Sequence, residues 1–116
     1  MEQEQNSVSS VEPEKMTIQY GVDSATVTFA EEKIVDEEQI RKLEEALKQV
    51  IEKNKNKQLI LDFTNIKLIN SVLLNLLIRV RHDVHKMGGQ LRLSNLAPNL
   101  RRVLELTQLT DVFDIS

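Results

Sequence analysis

The chain of 116 residues has no cysteine and no tryptophan, three glycines, two prolines and 3% aromatic residues. Without cysteine there is no disulfide, no thiolate nucleophile and no thiolate-ligated zinc. So few aromatics leave no stacking platform for single-stranded nucleic acid, and a direct nucleic-acid role is not expected. No apolar run approaches the ~18 residues needed to span a bilayer. The N-terminus, MEQEQNSVSS, is acidic and polar where a secretory leader is basic and apolar, so the expected location is the cytoplasm. There is no Gly-rich phosphate loop, nucleophile elbow or convergent acid pair. Neither an enzyme nor a cofactor is expected.

What is present is one core's worth of apolar residues, 41% of the chain, and a mild net charge of −3. The charge is uneven. Ten acids face two lysines between Met1 and Glu38, whereas seven basic residues face five acids from Gln58 onward. Such asymmetry suits an acidic partner or the acidic tail folding back, but ordinary solvated faces are the favoured reading.

Residues 1–14 carry little besides Glu, Gln, Ser and Asn, with only Val8 and Val11 strongly apolar, and are expected to form a flexible acidic tail. The domain is expected over 15–116. Met16–Tyr20 alternates, Gly21 to Ser24 supplies turn residues, and Ala25–Phe29 is rich in Val and Thr, which predicts a hairpin. Asp36 followed by Gln39 reads as a capping box for a helix to about Lys53, with Ile40, Leu43, Leu47, Val50 and Ile51 on one face. Leu59-Ile60-Leu61, ending at Asp62, reads as a central strand buried on both faces. A second helix, capped by Asn70 or Ser71, places Leu73, Leu76, Leu77, Val80, Val84 and Met87 on its apolar side and stops at Gly88-Gly89. Gln90–Leu93 is another strand. Ala97-Pro98 opens a third helix through Leu100, Val103, Leu104 and Leu106, and Val112–Ile115 closes the chain as a short strand or apolar tail. The order β-β-α-β-α-β-α-β predicts an α/β fold. It would be a single domain with a mixed sheet, an N-terminal hairpin, and three or four helices packed mainly on one face.

Asn70 and Ser71 lie where a strand's carboxyl end meets a helix N-terminus, the usual binding position of such folds. Ser71 can cap the helix, and the same place tolerates a phosphate because the dipole favours negative charge. Asn70 can cap, or offer its amide to a partner. Val72, Leu73 and Leu74 are consecutive apolar residues there. They form either an exposed patch for a protein partner or part of a helix buried on more than one side. Asp62 has no second acid or base near it by spacing. His82 and His85 have a chelating spacing but no evident third ligand and several cationic neighbours, so a solvated face is expected and no metal site. Arg101-Arg102 reads as a wet helix edge.

Taken in order, several segments resemble the STAS domain family of bacterial anti-sigma factor antagonists, from Met16 to Ile115. They are Leu59–Phe63, the Asn70-Ser71 junction, Met87-Gly88-Gly89, Leu93–Pro98 and Leu106–Phe113. The resemblance implies the STAS fold and a role in transcriptional regulation and signal transduction. Its implied partner is a GHKL-type anti-sigma factor and serine kinase, bound through Asn70, Ser71, Val72, Leu73 and Asn75. It also implies a phosphorylation switch at that helix start. The family commonly reads Asp-Ser-Ser-Gly-Leu where this chain reads Asn70-Ser71-Val72-Leu73-Leu74, and its usual acceptor is the second serine. Val72 holds that place, which leaves Ser71 as the phospho-acceptor candidate. The alternative is a non-switching STAS subunit or adaptor of a larger transport or sensory complex. No oligomeric state is implied.

Overall fold

A computed structural model describes residues 16–115. The expected tail over 1–14 lies outside the described residues. β1 (Met16–Tyr20) and β2 (Ser24–Phe29) form the predicted antiparallel hairpin, closed by Gly21 N–H donating to the Ser24 carbonyl at 2.7 Å. β3 (Lys33–Ile34) leads to α1 (Glu37–Lys53), then β4 (Gln58–Asp62), β5 (Leu68–Ile69) and α2 (Ser71–Lys86). β6 (Gln90–Ser94), α3 (Pro98–Leu106) and β7 (Asp114–Ile115) complete the chain. The main sheet has the order β1-β2-β4-β6-β7, parallel except for the hairpin. The expected mixed α/β sheet with three helices is therefore found. β3 and β5 make a separate parallel pair that sequence reading missed, since two residues are too few to carry a period.

Register explains which face is covered. Ala25, Leu59 and Leu91 lie side by side, as do Val27, Leu61 and Leu93, and all six are buried. Their neighbours in the alternate rows, Thr26, Ile60 and Arg92, then Thr28, Asp62 and Ser94, are half-buried. Strand side chains alternate, so one face carries the core and the other is polar. This corrects the expectation that β4 is buried on both faces. Ile60 remains half-buried because α1 and α2 pack on each other and α2 packs on β6, completing the core on the Leu59 side. Phe29 and Phe63 meet edge-to-face there, with ring centroids 5.4 Å apart.

Two further expectations are corrected. Asp36 does cap α1, its Oδ1 accepting from Glu38 N–H at 2.8 Å, but Gln39 does not close a capping box. Its amide instead donates to Glu31 Oε1 at 3.1 Å and to the Lys33 carbonyl, because β3 brings that strap within reach. Leu106, expected on the apolar side of α3, is exposed at the last helical residue, while Leu100 and Leu104 enter the core.

Gly88 adopts φ +81° and terminates α2 as predicted. α1 and α2 are joined across the surface by Arg79, whose Nε and Nη2 donate to Glu44 Oε2 and Oε1 at 3.0 and 3.1 Å. That hydrogen bond holds the Glu44 carboxyl below its ordinary pKa, against an opposing push from partial burial. The folded protein thus binds this proton more weakly than the unfolded chain. The stabilisation is complete above the ordinary carboxylate range and disappears as pH falls through the folded value. Arg79→Ala is expected to cost up to about 1 kcal/mol at neutral pH, with the guanidinium half in solvent. In urea titrations across pH, the gap between variant and wild type should close on acidification; a constant gap would rule the linkage out.

Candidate functional site: the start of α2

The parallel strands end, and all three helices begin, at one end of the molecule. Asn70 enters α2 in extended backbone geometry (φ −128°, ψ −178°). Its Oδ1 accepts from Val72 N–H at 3.1 Å and Leu73 N–H at 3.2 Å, and its carbonyl accepts from Leu74 N–H at 3.2 Å. Asn70 is therefore the cap, resolving the choice between the two residues. Ser71 is the first helical residue, exposed, and its hydroxyl makes no hydrogen bond among the described residues. The first turn of α2 holds no acidic residue, so no carboxylate within that turn offsets the positive end of its dipole.

The three apolar residues that follow divide by depth. Leu73 is 1% exposed and Leu74 is buried with it, while Val72 is half-buried and packs against the core. The expected contact role of Leu73 is corrected on this ground: it offers a partner no surface. Burial follows from helical period, since Leu73, Leu77, Val80 and Val84 form one inward stripe that Leu74 widens. The exposed-patch alternative fails for the same reason. Asn75 is exposed on the next turn.

The apolar surface that does reach solvent here comes from residues overlooked in the sequence. Leu68 is 47% exposed and Val35 is 38% exposed. They are brought beside Asn70 by the pairing of Lys33 with Leu68 and Ile34 with Ile69, and by Asn70 Nδ2 donating to the Val35 carbonyl at 2.9 Å. A separation of 35 residues leaves no local signal by which to find them. Asp36, Glu37 and Glu38, all exposed, lie just beyond Val35 at the start of α1.

Asp62 is tied into this end by hydrogen bonds. Partial burial pushes its carboxyl up, but hydrogen bonds from the Thr64 hydroxyl, the Asn95 amide and the Thr64 N–H together hold it below the usual range. His82 and His85 are exposed near the far end of α2, away from the candidate site. Among the described residues, no group of three His, Cys, Asp or Glu is arranged to hold a metal ion, and no helix is long and apolar enough to cross a membrane.

Comparison with known proteins bears on this architecture. An anti-sigma-factor antagonist (STAS) domain protein from Planctomyces limnophilus aligns with a TM-score of 0.78 at 14% identity, over 86% of this chain and 87% of that one. An anti-sigma factor antagonist from Mycobacterium paratuberculosis gives 0.73 at 22% identity, over 86% and 82%. The Bacillus cell fate determinant SpoIIAA in its phosphorylated form gives 0.66 at 12% identity, over 87% and 90%. At these identities the likeness is one of fold. No curated protein matches the sequence significantly. The family model for the STAS domain matches residues 16–116, and the chain belongs to the STAS domain family.

Proposed function

We propose that this chain is a regulatory protein-binding module, acting in the cytoplasm, that docks its partner through the exposed surface at the start of α2. Ser71 and Asn75 offer polar groups there, Val72 its exposed edge, and Val35 and Leu68 an apolar margin. Polar groups beside partly exposed apolar side chains are a composition that protein-binding surfaces share. The partner class is a GHKL-type anti-sigma factor and serine kinase, and the output is control of transcription.

One observation carries this reading: capping and exposure belong to different residues. Asn70 caps α2, the Ser71 hydroxyl makes no hydrogen bond among the described residues, and a phosphate added to it need not cost the helix its cap. Phosphate placed at the dipole's positive end is tolerated by the fold, while its charge of about −2 would repel or desolvate poorly against a docked surface. Ser71 is accordingly the proposed switch. A second reading, a constitutive adaptor in a larger transport or sensory assembly, is favoured by Val72 at the family's usual acceptor position.

The test uses a GHKL-type serine kinase from the same cell, with ATP, and phosphosite mapping by mass spectrometry. Phosphate on Ser71, and a Ser71→Asp variant bound roughly tenfold or more weakly than wild type by calorimetry, is the expected result for a switch. Equal binding of wild type and Ser71→Asp, with no phosphate incorporated, would establish the constitutive reading instead. If Ser71→Asp and Asn75→Ala together leave binding intact, the docking surface lies elsewhere.

A further inference from the structure

Asparagine amides stitch the site end of the molecule together. Asn65 Nδ2 donates to the Phe29 carbonyl at 2.8 Å, Asn99 Nδ2 to the Lys67 carbonyl at 3.0 Å, and Asn95 Nδ2 to Asp62 Oδ1 at 3.0 Å. Each reaches a segment more than 30 residues away in the chain. Asn70 differs from them in working in two directions at once. Its oxygen accepts from the first turn of α2, and its nitrogen donates to the Val35 carbonyl in the strap between β2 and α1.

That strap, residues 30–36, is tied to the segment before α2 by few bonds. Lys67 and Leu68 N–H both donate to the Glu32 carbonyl, at 2.7 and 3.1 Å, and the two-residue β3–β5 pair adds a short ladder. Beyond Ile34 the hydrogen bond from Asn70 is the tie that reaches Val35, immediately before the Asp36 cap of α1. An aspartate in place of Asn70 would keep the acceptor for α2 but lose the donor, and would set a negative charge against a carbonyl oxygen. Only an amide serves both sides with its neutral two-armed head.

We propose that Asn70 is a positioning residue that couples the start of α2 to the 30–36 strap and, through it, to the start of α1. The exposed apolar edge of Val35 is thereby held in register with the first turn of α2. The link rests on the proposed function only in taking this surface for the docking surface; the coupling itself concerns the chain alone.

Hydrogen–deuterium exchange on the whole chain, without partner, tests it. Asn70→Asp and Asn70→Ser both retain an N-cap oxygen and lack the amide donor. In each, exchange in residues 33–36 is expected to rise roughly tenfold, the loss of one hydrogen bond, while Val72 and Leu73 amides stay protected. Asn70→Ala should release both segments. A rise in Asn70→Asp but not Asn70→Ser would assign the effect to charge repulsion and overturn the coupling. Unchanged exchange at 33–36 in both would overturn it as well. Partner binding by the same variants is read separately. Strap release with unaltered affinity upholds the coupling and removes the surface from the docking role.

Discussion

Leu73→Ala is expected to be among the most destabilising substitutions at the site end, lowering the unfolding free energy by about 2–5 kcal/mol. Leu73 is 1% exposed and belongs to the hydrophobic core cluster. Truncation removes its transfer free energy and leaves a cavity between helix and sheet. Alanine's better helix propensity returns only a few tenths of a kcal/mol. The fall in Tm should be roughly 10–20 °C for a chain of this size. Leu73→Met, which conserves volume, should cost less than about 1.5 kcal/mol. Calorimetric unfolding of the two variants checks this directly. A loss below about 1 kcal/mol for alanine would mean the start of α2 is not anchored on the core, and would return Leu73 to the candidate contact surface.

Gly89→Ala is the second large effect, expected to cost about 1–3 kcal/mol by overpacking. Gly89 shows no left-handed backbone; its constraint is space. A Cβ there would overlap the Lys57 carbonyl oxygen and approach Val84 Cγ1 at 3.3 Å. The Lys57 carbonyl cannot easily retreat, since it accepts from Gln90 N–H at 3.3 Å, one residue from the paired positions Gln58 and Gln90. Asn56 N–H also donates to the Met87 carbonyl, at 3.0 Å. Relieving the clash therefore pulls apart the loops that start β4 and β6. Urea unfolding measures the cost, and slower folding is not required by it. A neutral result would show that these loops give without losing register. Gly88→Ala tests the neighbouring constraint, a left-handed φ together with a close approach to the Asn56 side chain.

How much of this was legible in the sequence varied with the range of the interaction responsible. The hairpin, α1, α2 and α3 were readable because their apolar residues repeat at the strand or helix period over five residues or more. Gly88 was readable because a left-handed stop has few alternatives. β3 and β5 were not, being pairs of residues that become strands only on meeting each other. Ile60 was misread because an apolar triplet looks the same whether one face of its strand is covered or both. The capping box at Asp36 was locally plausible and lost to a distant competitor, the Glu31–Lys33 strap that takes the Gln39 amide.

The candidate site divides along the same line. Sequence located the junction at Asn70 and Ser71, since two capping residues before an amphipathic run mark a helix start on local chemistry alone. The division of labour between them came from tertiary structure. Asn70 is the cap and its amide also donates to the Val35 carbonyl, 35 residues away, while the Ser71 hydroxyl makes no hydrogen bond among the described residues. The depth of Leu73 and Leu74, and the exposure of Val35 and Leu68, likewise depended on which surfaces met. Local preference operates over one turn of chain and is written in the residues themselves. Burial and shared hydrogen bonds arise between segments remote in sequence, and only the assembled fold settles which segments those are.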